Sequence, residues 1–283
     1  MTIAERRRVV DDLVDYGCSV LRACELAQLH RATFHYQQRP TTCDELVVEI
    51  TSLAQQYPRY GYRRVWAVLK RTRKVNQKRV HRLWKAAQLQ VKRVTRPRKR
   101  RERPTRLQAD HPNHIWAYDF VQDADRHGNK LYILTVMDEF TREGLATYVT
   151  TATSAARVVA VLTSLRNMYG TPVYLRSDNG VEFIALALRN WLADHAIEPL
   201  YIDPGCRGQN GKDERFNGTV RDECLNMQLF GSLVEARIRL EAFRQHYNSE
   251  RPHSALRIKH HLHSSKRGMR PKISSGILSF LLD

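Results

Sequence analysis

The sequence predicts an α/β protein, a mixed five-stranded sheet with flanking helices, preceded by an all-α helix–turn–helix region. Three observations predict it. Apolar positions ahead of His114 recur at three- and four-residue steps, whereas from His114 they alternate as in strands. Three strand-like segments are then followed by alternating helix and strand units, the pattern of a sheet covered on both faces. Positive charge is concentrated ahead of the change in periodicity.

The distribution of that charge says more than its total. The 283 residues carry a formal net charge of +18. Residues 1–112 hold 26 Lys/Arg against 10 Asp/Glu, a net of +16; residues 113–283 hold 21 against 19, a net of +2. A basic front half joined to a near-neutral back half implies a polyanion-binding module fused to a folded domain with another task. Apolar residues make up 42% of the chain, enough for a packed core. Five cysteines (Cys18, Cys24, Cys43, Cys206 and Cys224) are odd in number and irregular in spacing, which excludes a disulfide framework and implies reduced thiols. No apolar run approaches the ~20 residues of a membrane-crossing helix. Acids stand where a signal peptide would be apolar, so a cytoplasmic protein is expected.

Residues 1–40 read as a helix–turn–helix-like segment, with Val20, Leu21, Ala23, Cys24, Leu26 and Leu29 supplying its apolar positions. A second helix from near Arg31 would present Arg31, Thr33 and His35 outward, placed to enter a major groove. Ala27-Gln28 stands where the usual turn glycine would be, and a plain helical hairpin is the alternative. Residues 41–91 form a second helical unit: a helix over 44–57, a turn at Pro58 and Gly61, a helix from Tyr62 to about Arg71, and a helix N-capped by Asn76. Residues 92–112 are a basic, proline-punctuated linker without an apolar repeat, either a solvated hinge or a segment that orders on nucleic-acid phosphates.

Residues 113–228 read as the core. HIWAYDFVQ, KLYILTVMDE and LATYVTT are three strands, with Gly128-Asn129 at the first reversal. A helix over 153–168, the strand PVYLRSD, a helix over 182–195 and the strand IEPLYID follow. The loop PGCRGQNG leads into a helix over about 212–228, and residues 229–257 carry a last long helix. Residues 258–283 are a divergent tail.

Three acids stand where strand and helix ends can aim them at one point. Asp119 lies in the first strand, Asp178 ends the fourth ahead of Asn179-Gly180, and Glu214 lies in the first turn of a helix. Hard divalent cations prefer such oxygen ligands, and a pair of ions can stabilise both oxygens of an in-line phosphoryl displacement. Asp123, Asp125 and Asp213 are read as solvated or structural. On the helix, Phe216, Val220, Cys224 and Met227 share a face that should pack on the sheet, while Glu214, Gly218, Arg221 and Leu225 lie roughly opposite. Arg221 is about 10 Å along the axis from Glu214, too far to pair with it. It serves either a DNA phosphate or a surface acid such as Glu223.

Spacing alone does not choose among 29 acids; the local sequence does. SDNGVEF and GQNGKDERFNGTVRDECLN, with thirty-five residues between Asp178 and Glu214, resemble the signature of the retroviral-integrase superfamily. More narrowly, the chain resembles the second-reading-frame product of bacterial insertion sequences of the family numbered three. WAYDF, MDEFTREGLA and YNSERPHSALR resemble that family's catalytic landmarks, and PRYGYRRV with VNQKRVHRLWK its second DNA-binding unit. The resemblance implies a ribonuclease H-like fold, a catalytic and metal-ligating triad of Asp119, Asp178 and Glu214, and Mg²⁺ or Mn²⁺ as cofactor, read here as two ions. It also implies a DNA transposase acting on element terminal repeats and target DNA, in the bacterial cytoplasm at the nucleoid. A homo-oligomer on DNA and a fusion or association with an upstream-frame product are expected with it. The expected DNA contacts are Arg31, Arg63, Arg64, Lys78, Arg79, Arg98, Lys99, Arg100, Arg101 and Arg221. Two departures stand out: Cys206-Arg207-Gly208 before the glutamate, and the tail after SALR.

Three other readings compete. Zinc at Cys18, Cys24, His30 and His35 has poor ligand spacing. A non-catalytic DNA-binding regulator would have no use for three exposed acids beside a DNA path. A ribonuclease H-type nuclease shares the fold, but two helix–turn–helix-like units favour duplex DNA.

Overall fold

The computed structural model describes residues 1–36, 44–91, 107–178, 180, 185–202 and 211–253. The expected contacts Arg98, Lys99, Arg100 and Arg101, the Cys206-Arg207-Gly208 loop and the tail lie outside those residues. The chain forms two compact units, Met1–Glu49 and Ile50–Asp283. Among the described residues no helix is long and apolar enough to cross a membrane.

The first unit contains α1 (Ile3–Asp15), α2 (Val20–Leu26) and α3 (Arg31–Phe34). Thr2 and Glu5 make a reciprocal capping box at the start of α1. Val10, Ala23, Cys24, Ala27 and Leu29 form the small core. Cys24 lies among apolar side chains and is 4% exposed, an environment for packing and not for a zinc ligand. The turn after α2 is made without glycine: Gln28 takes φ 51°, and Leu29 N–H donates to the Cys24 carbonyl at 2.9 Å. The expected second helix is a single turn, α3, with Arg31 and His35 exposed and Thr33 half-buried.

α4 (Asp44–Gln56), α5 (Tyr62–Leu69) and α6 (Gln77–Ala86) follow. Asn76 caps α6, accepting from Lys78 N–H at 2.8 Å, and Val80, Leu83 and Trp84 are its buried face.

The sheet contains β1 (Ile115–Ala124), β2 (Lys130–Asp138), β3 (Gly144–Thr150), β4 (Tyr174–Ser177) and β5 (Glu198–Tyr201), in the order β3-β2-β1-β4-β5. β1–β2 and β2–β3 pair antiparallel, while β4 joins β1 and β5 joins β4 in parallel. Helices α7 (Ala155–Tyr169), α8 (Leu186–Asp194), α9 (Asp213–Glu223) and α10 (Leu233–Ser249) complete the core.

Side-chain alternation on β1 divides the interior. Trp116 and Tyr118 pack with Val158, Leu162 and Leu165 of α7 and Leu188 and Trp191 of α8 on one face. Ala117 and Val121 pack with Phe216 and Val220 of α9 and Leu240 and Phe243 of α10 on the other. The helix expected to reach residue 228 stops at Glu223. Cys224 takes φ −127°, ψ −67°, and a 3₁₀ turn (Leu225–Met227) leaves Met227 44% exposed rather than on the sheet. Leu225, expected on the outer face, is buried by the same change of direction.

The β2–β3 turn is tied down by Asp138, whose carboxylate accepts from Phe140 N–H (2.8 Å), Thr141 N–H (3.1 Å) and Asn113 N–H (2.9 Å). Just past it, Gly144 admits the ring of Phe216, which is 1% exposed. A Cβ on Gly144 would lie 2.7 Å from Phe216 Cζ and 3.0 Å from Cε2. Gly144→Ala is therefore expected to displace α9 and lower stability by about 1–3 kcal/mol. The check is the denaturant midpoint; an unchanged midpoint would mean that the ring is free to move aside.

Candidate active site

Asp119 shares the parity of Ala117 and Val121, so its side chain faces α9. Its Oδ1 accepts from Phe120 N–H at 2.7 Å and its Oδ2 from Asn217 Nδ2 at 3.0 Å. Opposite it on β2 stands Thr135, fully buried, whose hydroxyl is 2.8 Å from Asn217 Oδ1 and 3.1 Å from the Asp119 carbonyl. Asn217 also donates to Asp213 Oδ2 at 3.1 Å. One amide thus links β1, β2 and the first turn of α9.

The parallel β1–β4 register pairs Trp116 with Leu175 and Ala117 with Arg176. Continuing it by two residues sets Asp178 beside Asp119, on strands ~4.8 Å apart. Asp178 is exposed, with Oδ1 accepting from Gly180 N–H at 3.0 Å. Glu214 is exposed in the first turn of α9. Burial pushes the Asp119 carboxyl up to about 6, from an ordinary 3.8. The charges of Asp178 and Glu214 add to the rise, while Phe120 N–H and Asn217 oppose it. The charges of Asp178 and Glu214 thus both reach Asp119. Beside it lies an open cleft of about 410 Å³, lined by Asp119, Gln122, Asn217, Gly218 and Arg221 among others.

Arg221 is exposed on this cleft and donates to the Gln122 carbonyl at 3.1 Å. Glu223, its alternative partner from sequence, is engaged elsewhere. Arg251 (2.7 Å) and Arg64 (2.7 Å) both bind it; although burial alone raises the Glu223 carboxyl, these hydrogen bonds hold it below its ordinary value. Arg64 was expected on DNA. Its guanidinium is instead turned inward onto Glu223 and over the Tyr60 ring, because α5 lies against the end of α9. Arg63 and Lys78 are exposed and Arg79 is half-buried.

Asp213 is fully buried, so it is not a solvated acid. Asp125 closes the β1–β2 turn, accepting from His127 and Asn129 N–H at 2.9 Å each. Sequence reasoning missed Asn217, although its place one turn after Asp213, beside the buried Phe216, was a usable signal. A further grouping, Asp110, His111 and His114, brings ligating atoms within 4.8 Å of one another ahead of β1.

Residues 109–206 and 195–259 match the family of integrase core domains, and residues 43–100 match the HTH-like domain family. The insertion element IS476 uncharacterized 39.2 kDa protein of Xanthomonas euvesicatoria is 41% identical, over 83% of this chain and 68% of that one. Transposase InsD for insertion element IS2A/D/F/H/I/K of Escherichia coli is 29% identical over 85% of this chain and 88% of that one. Among solved structures, the simian T-cell lymphotropic virus intasome in complex with PP2A regulatory subunit B56 gamma is similar in fold. Its TM-score is 0.50 at 15% identity, covering 80% of this chain and 78% of that one.

The raised Asp119 carboxyl has a consequence for stability. A group that holds its proton more tightly when folded favours the folded state while protonated, so stability falls as pH rises from about 4 to 6. In cation-free protein, Asp119→Asn is expected to gain about 1–3 kcal/mol at pH 7 and nothing below about pH 3.5. Denaturant unfolding at the two pH values measures this; equal stability of both proteins at pH 7 would contradict it.

Proposed function

The chain belongs to the insertion-element transposases of the family numbered three, built on an integrase core domain, and from that membership we propose a DNA strand-cleaving and strand-joining enzyme. Its site is the carboxylate set Asp119, Asp178 and Glu214. The observation that supports this reading is geometric: the β1–β4 register carries Asp178 to the level of Asp119, and Glu214 opens the helix that Asp119 faces, beside an open cleft. Like charges crowded this way are unfavourable unless cations offset them.

The donor set fits Mg²⁺ or Mn²⁺, since it offers hard carboxylate oxygens and places no sulfur or imidazole ligand among them. Asp119, Asp178 and Glu214 would hold two such ions, which supply Lewis acidity and charge neutralisation at a phosphodiester. Asn217 fixes the rotamer of Asp119 by holding Oδ2, leaving the carboxylate plane set for the cleft. Arg221 places positive charge on the cleft wall, where a DNA phosphate can approach over Gly218 without a side chain in the way. Water adds to a phosphodiester at the element end, the P–O3′ bond breaks, and a 3′-hydroxyl is freed. That hydroxyl then attacks a phosphodiester of the target, displacing another 3′-oxygen.

The basic front half, with Arg31, Arg63, Lys78 and Arg79 and the linker run Arg98, Lys99, Arg100 and Arg101, would hold the terminal repeats through phosphates. The HTH-like match supports DNA as the partner. A homo-oligomer assembled on two ends, alone or joined to an upstream-frame product, completes this reading. In domain terms, residues 1–40 and 41–91 bind, 92–112 connect, and 113–257 carry the chemistry.

Changing Asp119, Asp178 or Glu214 singly to Ala is expected to abolish cation-dependent cleavage of labelled element ends while DNA affinity stays within about twofold. Near wild-type cleavage by any one of them removes that residue from the set. For Arg221→Ala, strand transfer should fall at least tenfold with the melting midpoint unchanged. Wild-type joining at several salt concentrations would reduce Arg221 to ordinary surface charge.

A further inference from the structure

The three acids do not hold themselves in place, and one buried carboxylate outside the set reaches the elements that carry two of them. Glu139, the first residue of the β2–β3 turn, is fully buried, and its N–H donates to the Ile115 carbonyl at 2.9 Å, fixing it to the start of β1. Its Oε1 pairs with Arg176, and its Oε2 lies 3.1 Å from Lys212 Nζ. Lys212 also donates to the Glu139 carbonyl at 3.2 Å, and Arg176 to the Leu107 carbonyl at 2.9 Å.

Arg176 lies on β4, two residues before Asp178, which directly follows the strand, and Lys212 is two residues before Glu214 at the start of α9. Continuing the strand alternation one residue past β4 sets Asp178 on the same face as Arg176. We propose that Glu139 is a positioning residue that sets Glu214 against Asp178 by clamping Arg176 and Lys212 together. The proposal rests on the triad reading given above.

Two features argue for positioning over plain stability. Lys212 occupies the N-cap of α9 and makes no side-chain cap hydrogen bond there. A lysine at that place opposes the helix dipole and lacks the oxygen that a cap needs, so the helix gains nothing local from it. Its ammonium is directed instead at Glu139. Arg176 and Glu139 are also almost entirely out of water, with side chains 5% and 0% exposed. Burying such ions costs more than a well-packed apolar group of the same volume, and what they return is a defined geometry. The clamp joins three points of the chain, at residues 139, 176 and 212, that are far apart in sequence.

The test is Mn²⁺ binding to the full-length protein, followed by calorimetry without DNA, with the melting midpoint measured alongside. Lys212→Gln cuts one arm and leaves the Glu139–Arg176 pair intact. It should weaken Mn²⁺ binding at least tenfold with a midpoint near wild type, and Lys212→Arg should restore binding to within about threefold. In a Glu214→Gln background, Lys212→Gln should weaken it no further, since Glu214 is the group being placed. If Lys212→Gln does not fold, Glu139→Asp, which keeps the charge and shortens the reach, is read in the same titration and should also weaken binding. Wild-type Mn²⁺ affinity in Lys212→Gln or Glu139→Asp, or equal weakening by Lys212→Gln with and without Glu214, overturns the clamp. Mn²⁺ binding that is indifferent to Glu214→Gln in the otherwise wild-type chain overturns the triad reading beneath it.

Discussion

The parallel pairing of β1 with β4, together with the docking of α9 on the sheet, is the constraint on which the candidate site depends. Asp119 and Asp178 are brought level by the parallel pairing of β1 and β4, and Glu214 is brought in by α9. Each neighbour makes ionising Asp119 harder, on top of the effect of burial. Without a cation the arrangement is unfavourable, so other contacts must hold its parts. Phe216 packs α9 under Gly144, where no larger residue fits, and burying such a ring is worth about 1.5–3 kcal/mol. Asn217 joins Asp119 to Asp213, and Glu139 joins β4 to α9.

The far end of α9 is also engaged. Asp222 pairs with Arg59, and Glu223 with Arg64 and Arg251. Tyr60 hydrogen-bonds His246 at 2.9 Å, and Tyr57 stacks on the same ring at 5.1 Å between centroids. The helical segment ahead of the linker therefore rests on the helix that carries Glu214. The buried Glu223 pairs are of the kind that fix geometry, because losing one partner leaves an uncompensated charge.

Much of this was legible in the chain. The change of periodicity at His114 marked the strand that carries Asp119, and Gly128 with φ 82° makes the expected reversal. The local motifs singled out Asp119, Asp178 and Glu214 from 29 acids, which spacing could not do. What could not be read were pairings made across the fold. Arg64 and Glu223 are 159 residues apart, and each looks like ordinary surface charge in its own helix. Glu139, Arg176 and Lys212 were hidden in the same way. The end of α9 was misjudged because apolar spacing continues past Glu223 while the backbone does not. Gln28 shows the converse: a turn lacking its usual glycine still forms when a polar residue accepts a positive φ.

The central claim is that Asp119, Asp178 and Glu214 together form a divalent-cation site. Anomalous scattering from crystals soaked in Mn²⁺ tests it most directly, because it locates the ion without reference to activity. The account predicts Mn²⁺ density among those three carboxylates at neutral pH, lost when Asp119 is replaced by Asn. Density only at Asp110, His111 and His114, with none beside Asp119, would contradict it.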